Sequence, residues 1–170
     1  MTTTHRGARL ETFNALSRNE VRAHLVTCLA VPRWVDEVAD GRPYATLDDL
    51  WERAATSVAE LSDDEIEAAL ARHPRVGERA SAEHDGEHSR REQAAVDPTD
   101  GEVATQLRSG NRCYEKRFNR VFLIRAAGRS TAEIIAELDR RLANDDDAAE
   151  RAETIAQLRE IALLRLKSVV

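Results

Sequence analysis

The chain has 170 residues, a formal net charge of −6, 33% charged residues and 4% aromatic residues. That length supports a hydrophobic core in a single domain spanning 1–170, and with so few aromatics the core rests on Leu, Ile, Val and Ala, a mixture that with Glu and Arg favours helix over sheet. The acidic balance argues against a nucleic-acid surface, which needs a concentrated basic face, and against electrostatic attachment to a membrane.

At the amino terminus, Met1-Thr2-Thr3-Thr4-His5-Arg6 lacks the apolar core of a signal peptide, and no later apolar run spans a bilayer. Cys28 and Cys113 are too few for a disulfide framework, read as small core residues, and suit a reducing compartment. A cytoplasmic protein is expected.

Capping boxes set the helix starts. In this motif a Ser or Thr accepts a hydrogen bond from an amide of the first turn, and an acidic residue three positions on reaches back. In chain order, Ser17 with Glu20 precedes a stripe of Val21, Leu25 and Cys28. Pro32 suits the first turn of a short helix carrying Trp34, Val35 and Val38. Thr46 with Asp49 opens a stripe of Leu47, Leu50, Trp51, Ala54 and Val58, and Ser62 with Glu65 opens Ile66, Ala69 and Leu70. The stretch between Val76 and His88 reads as a polar loop. Ser89 with Glu92 and Thr99 with Glu102 mark further starts, the second leading to Val103, Leu107, Gly110 and Tyr114. Val121-Phe122-Leu123-Ile124 is a short apolar run whose backbone groups must find partners, read as an extended buried connector. Ser130 with Glu133 then begins Ile134, Ile135, Leu138 and Leu142. A last helix from about Ala148, with Asp147 and Glu150 as its weaker cap, turns Ile155, Leu158, Ile161 and Ala162 inward. The predicted fold is all-α: a single compact domain of about eight helices with one extended apolar connector.

Three residues stand out from this frame. In His73-Pro74-Arg75-Val76-Gly77-Glu78 the proline ends the preceding helix and presents the imidazole from its end. Such a His either caps the helix carbonyls or acts as a general acid or base. Glu92 fits its capping box with Ser89, and the same geometry aims a carboxylate toward the loop leading back to His73. Arg165 lies one turn beyond Ile161 on the inward face of the last helix, where its permanent charge needs a partner. That partner is either a structural carboxylate or an anionic ligand gripped by the guanidinium fork. His84 and His88 are separated by Asp85-Gly86 and lack an evident third ligand, so a metal site is not expected. There is no Gly-rich phosphate loop, zinc-type cysteine pattern or Gly-x-Ser-x-Gly elbow.

Taken together, the motifs resemble the 2-oxo-4-hydroxy-4-carboxy-5-ureidoimidazoline (OHCU) decarboxylase family of urate degradation. The resemblance runs from Phe13-Asn14-Ala15-Leu16-Ser17 through Cys28, Trp34, Arg42-Pro43-Tyr44, the His-Pro motif, Ser89-Arg90-Arg91-Glu92-Gln93 and Tyr114-Glu115-Lys116-Arg117-Phe118. It closes with Phe122-Leu123-Ile124, Arg141-Leu142-Ala143-Asn144 and Leu164-Arg165-Leu166. It implies an all-α homodimer without metal or organic cofactor, acting on OHCU to yield (S)-allantoin. It makes His73 and Glu92 the catalytic pair, with Pro74, Ser89, Glu92, Phe122, Ile124 and Arg165 binding substrate. Asn119 stands where many relatives carry Gly, and Asn also tolerates left-handed backbone. The competing expectations are a helical interaction module without catalysis and, more remotely, a metal-dependent hydrolase using His73, His84 and His88.

Overall fold

The structure, a computed structural model, describes residues 3–78 and 101–170, with side chains from residue 9 onward. The described residues form α1 (Thr3–Ala15), α2 (Arg18–Cys28), α3 (Pro32–Asp40), α4 (Leu47–Ala59), α5 (Asp63–Ala71), α6 (Gly101–Phe118), α7 (Thr131–Leu142) and α8 (Asp147–Val169), and no strand. The fold class read from composition and caps is therefore correct. Contacts group the chain into two compact units, Met1–Glu65 with Arg159–Val170, and Ile66–Leu158.

In the first unit the capping boxes at Ser17 and Thr46 are formed as the sequence predicts. At Ser62 the backbone amide donates to Glu65, and the Glu65 amide donates to the Ser62 hydroxyl. α3 packs against α2 and α4, and the fully buried Trp34 donates its indole N–H to the Ala54 carbonyl at 3.0 Å. α1 has no counterpart among the predicted elements. It carries no capping box in the sequence, and among its described side chains the buried apolar ones are Leu10 and Phe13. Its C-terminal end is closed from a distance: the Arg42 guanidinium donates to the carbonyls of Phe13 and Leu16, at 3.0 and 2.7 Å. Asn14 exchanges two hydrogen bonds with the backbone of Tyr44. The Asn14 and Arg42-Pro43-Tyr44 motifs are thus one structural clasp.

In the second unit α6 and α7 pack together over a core of Leu107, Tyr114, Phe118, Phe122, Ile124, Ile134 and Leu138. Contact is so close that a Cβ on Gly110 would lie 2.4 Å from Leu138 Cδ2, which is why the α6 stripe places glycine there. α6 ends at Asn119, whose φ of 51° is left-handed and whose amide donates to the Glu115 carbonyl at 2.9 Å. This is the αL helix stop, made by Asn in place of Gly. Residues 121–126 are neither helix nor strand, and Phe122, Leu123 and Ile124 are buried, as expected of the connector.

Three local readings are corrected. α8 is capped by Asp146 rather than Asp147, its Oδ1 accepting from the amides of Ala148 and Ala149 at 2.9 and 3.1 Å. Glu150 is therefore free of the cap and turns into the core. The inward face of this part of α8 is then the polar stripe Glu150, Thr154 and Gln157, while Ile155 is only half-buried. Cys113, read as a core residue, is exposed because the α6 face it occupies points away from Tyr114. Cys28 is buried as expected. The predicted starts at Ser89 and Thr99 and the loop after Glu78 lie outside the described residues.

Candidate active site

His73 follows the end of α5, and its backbone amide closes the turn on the Leu70 carbonyl at 3.0 Å. The ring is buried, with Nδ1 2.8 Å from the Ala69 carbonyl. A carbonyl only accepts, so Nδ1 carries a proton and donates it to Ala69. The helix-closing reading is met through Nδ1 and is compatible with an acid–base role for Nε2. Pro74 is buried beside it.

The residues after Pro74 run antiparallel along α6. Arg75 forms a two-pronged ion pair with Glu115, one prong short and the other 2.9 Å. That carboxylate raises the Arg75 pKa above the usual arginine value. The Val76 carbonyl accepts from Asn111 Nδ2 at 3.1 Å. Gly77, at φ 84°, rests so near α6 that a Cβ would stand 3.0 Å from Leu107 Cδ1. Leu107, Asn111 and Glu115 are one turn apart, so a single face of α6 holds three consecutive residues and fixes the turn bearing His73. Among the described residues the buried Asn111 Oδ1 has no hydrogen-bond partner.

The connector is held from the other helices. The fully buried Arg141 of α7 donates Nη1 to the Leu123 carbonyl at 2.6 Å and Nε to Glu150 Oε1 at 2.7 Å. Its guanidinium lies 4.8 Å from the centre of the Phe122 ring. Tyr114 donates its hydroxyl to Glu150 in a short hydrogen bond and accepts from Arg141 Nη2 at 3.0 Å. Burial pushes the Tyr114 hydroxyl pKa up to about 12. One turn and two turns beyond Glu150, Thr154 accepts from Arg141 at 3.3 Å and Gln157 Oε1 accepts the Arg125 amide at 2.8 Å. None of these residues was singled out for a role from sequence. Carrying the inward stripe of Arg165, Ile161 and Leu158 backwards along α8 would have reached Gln157, Thr154 and Glu150.

Of the sequence-predicted site residues, His73, Pro74, Phe122 and Ile124 are buried in the second unit, and Arg165 is 1% exposed on the α8 segment of the first. Ser89 and Glu92 lie outside the described residues, as do His84 and His88. Among the described residues no cluster of three His, Cys, Asp or Glu side chains could hold a metal ion, and no helix is long and apolar enough to cross a membrane. A groove of about 750 Å³ between α6 and α7, lined in part by Thr105, Ser109, Cys113 and Asp139, includes none of the predicted residues.

Two solved structures share this fold. A crystal structure of OHCU decarboxylase in the presence of (S)-allantoin gives a TM-score of 0.68 at 19% identity, covering 85% of this chain and 95% of that one. A crystal structure of (S)-allantoin synthase gives 0.71 at 16% identity, covering 95% of this chain and 54% of that one. The uric acid degradation bifunctional protein of Bacillus sp. (strain TB-90) is 24% identical over 162 residues, 95% of this chain. The chain spans 32% of the length of that curated relative. The sequence model of the OHCU decarboxylase family matches residues 14–167, through the His-Pro turn, the connector and Arg165 alike, and the chain belongs to that family.

Proposed function

We propose that this chain decarboxylates 2-oxo-4-hydroxy-4-carboxy-5-ureidoimidazoline to (S)-allantoin without metal or organic cofactor. The observation that carries the reading is His73 itself: buried at a helix end, its Nδ1 held by the Ala69 carbonyl, and standing within the stretch that matches the family. The match from 14 to 167 supports treating the chain as one catalytic domain.

The substrate carries its carboxylate on a carbon that also bears a hydroxyl and adjoins the ring's carbon–nitrogen system. When the bond to the carboxylate breaks, the electron pair moves into that system and CO2 leaves, so no external electron sink is required. The protein supplies orientation, electrostatics and the face of reprotonation. His73 Nε2 accepts a hydrogen bond from the hydroxyl, takes its proton as the bond to the carboxylate breaks and delivers it to one face of the ring, while the ring nitrogen that receives the electron pair takes a proton from water. Glu92 accepts from ring or ureido N–H groups, Ser89 also binds substrate, and Arg165 holds substrate oxygens. Pro74, Phe122 and Ile124 form a nonpolar wall, and the connector backbone at Phe122 and Ile124 pairs with the ureido and ring groups. The protein works as a cytoplasmic homodimer.

Circular dichroism of allantoin formed from urate by uricase and the hydrolase that follows it tests this reading. A rapid (S)-allantoin signal that depends on this protein is the expected result. A slow, racemic product with or without it rejects the decarboxylase and leaves a helical interaction module.

A further inference from the structure

Arg141 and Gln157 have no place in the chemistry above, yet both reach the connector that forms its wall. They do so at alternate positions: Arg141 takes the Leu123 carbonyl and Gln157 takes the Arg125 amide. In extended backbone, the polar groups of one residue face one edge and those of the next face the other. Holding Leu123 and Arg125 against α7 and α8 therefore turns the polar groups of Phe122 and Ile124 to the opposite edge. A one-residue slip would exchange the two sets.

We infer that Arg141 and Gln157 are positioning residues that set the register of the connector and so decide which backbone groups meet the substrate. The inference rests on the decarboxylase reading and deepens it. Its motif, Arg141-Leu142-Ala143-Asn144, is thereby accounted for. Arg141 is built for register. Its fork spans Glu150 and the Leu123 carbonyl together, and its face lies against the Phe122 ring. A lysine, with one compact ammonium, cannot span that arrangement. Glu150, which accepts from Arg141 and Tyr114, balances the buried charge. Gln157 is anchored at its other end, its Nε2 donating to Glu153 at 3.1 Å.

Because the connector's backbone contacts are already made when the substrate binds, a register error weakens ground state and transition state alike. KM then rises while kcat holds. A purely structural role does the reverse, lowering the active fraction and thus apparent kcat at constant KM. Arg141→Ala removes one half of a buried ion pair and is a poor probe, since it threatens folding. Gln157→Met keeps volume and removes the acceptor for the Arg125 amide, together with the part-buried donor to Glu153 at the helix's own surface.

Steady-state kinetics of the full chain with substrate generated in situ is the experiment, with (S)-allantoin binding measured by calorimetry beside it. Gln157→Met is expected to raise KM and weaken allantoin binding by about fivefold or more, the worth of one backbone contact, with kcat nearly unchanged. Arg141→Lys is expected to shift KM in the same direction. An active wild type with unchanged KM in Gln157→Met, or with a loss confined to kcat, overturns the inference and leaves the decarboxylase reading standing. A wild type that does not turn over overturns both.

Discussion

At His73 a single side chain has two tasks in the proposed reaction, and the division of labour between its nitrogens makes the mutations informative. Asparagine can replace the Nδ1 donor to Ala69 but offers no base, so His73→Asn retains the turn and loses the proton transfer. Turnover is expected to fall by ~10²-fold or more in both His73→Asn and His73→Ala, and near-normal turnover in either would remove His73 from the chemistry. Arg165 lies at the opposite extreme of titration, since its guanidinium stays charged throughout the accessible pH range. Arg165→Ala is expected to lose substrate affinity at least as strongly as rate, and allantoin binding that does not change would reject the clamp. Around His73 the sequence revealed the residue but not its holder. Val76 and Asn111 are 35 positions apart, and Arg75 and Glu115 are 40 apart. Local spacing carries no trace of pairings at that separation.

Among the elements, what could be read in advance follows the range of the forces that make them. Capping boxes act over three residues, and those at Ser17, Thr46 and Ser130 are formed in full. Each of Ser17→Ala, Thr46→Ala and Ser130→Ala is expected to cost ~1 kcal/mol in chemical denaturation. The effects should add, because the three caps share no partner. The connector was readable for the opposite reason: its apolar run has no helical period. α1 was not, because Leu10 and Phe13 make too short a stripe and its end is closed by Arg42 from outside the helix. The α8 cap slipped by one residue because Asp145, Asp146 and Asp147 stand in a row, and only packing decides which of them faces the first turn. That slip also hid Glu150. As a cap residue it would have been exposed, whereas it is fully buried against Arg141.

On the scale of the whole molecule, the buried hydroxyls set how the fold responds to alkali. Tyr44 and Tyr114 both have pKa values raised to about 12, with desolvation as the leading cause. Each hydroxyl donates inside the fold, Tyr44 to the Val38 carbonyl at 2.8 Å and Tyr114 to Glu150. Unfolded, each would ionise near 10. The unfolded chain then holds fewer protons than the native one between about pH 10 and 12, so stability is whole below pH 10 and declines as the pH rises to 12, by at most about 3 kcal/mol per tyrosine. Urea denaturation across that range should show the decline. Tyr114→Phe should remove about half of its slope while costing about 1–2 kcal/mol at neutral pH. A slope unchanged in that variant would assign the alkaline loss elsewhere.

The two holds on the second unit also differ in when they can form. Arg141 and Glu150 are nine positions apart, while Arg75 and Glu115 are 40 apart. Closing the longer loop costs about 1 kcal/mol more in chain entropy. The α7–α8 hairpin, with the connector drawn onto it, is therefore expected to form before the turn that carries His73 docks. The same difference predicts that, in native-state hydrogen exchange, the amides of that turn exchange sooner than those of the hairpin, so the proposed chemistry sits on the part of the unit that is last held.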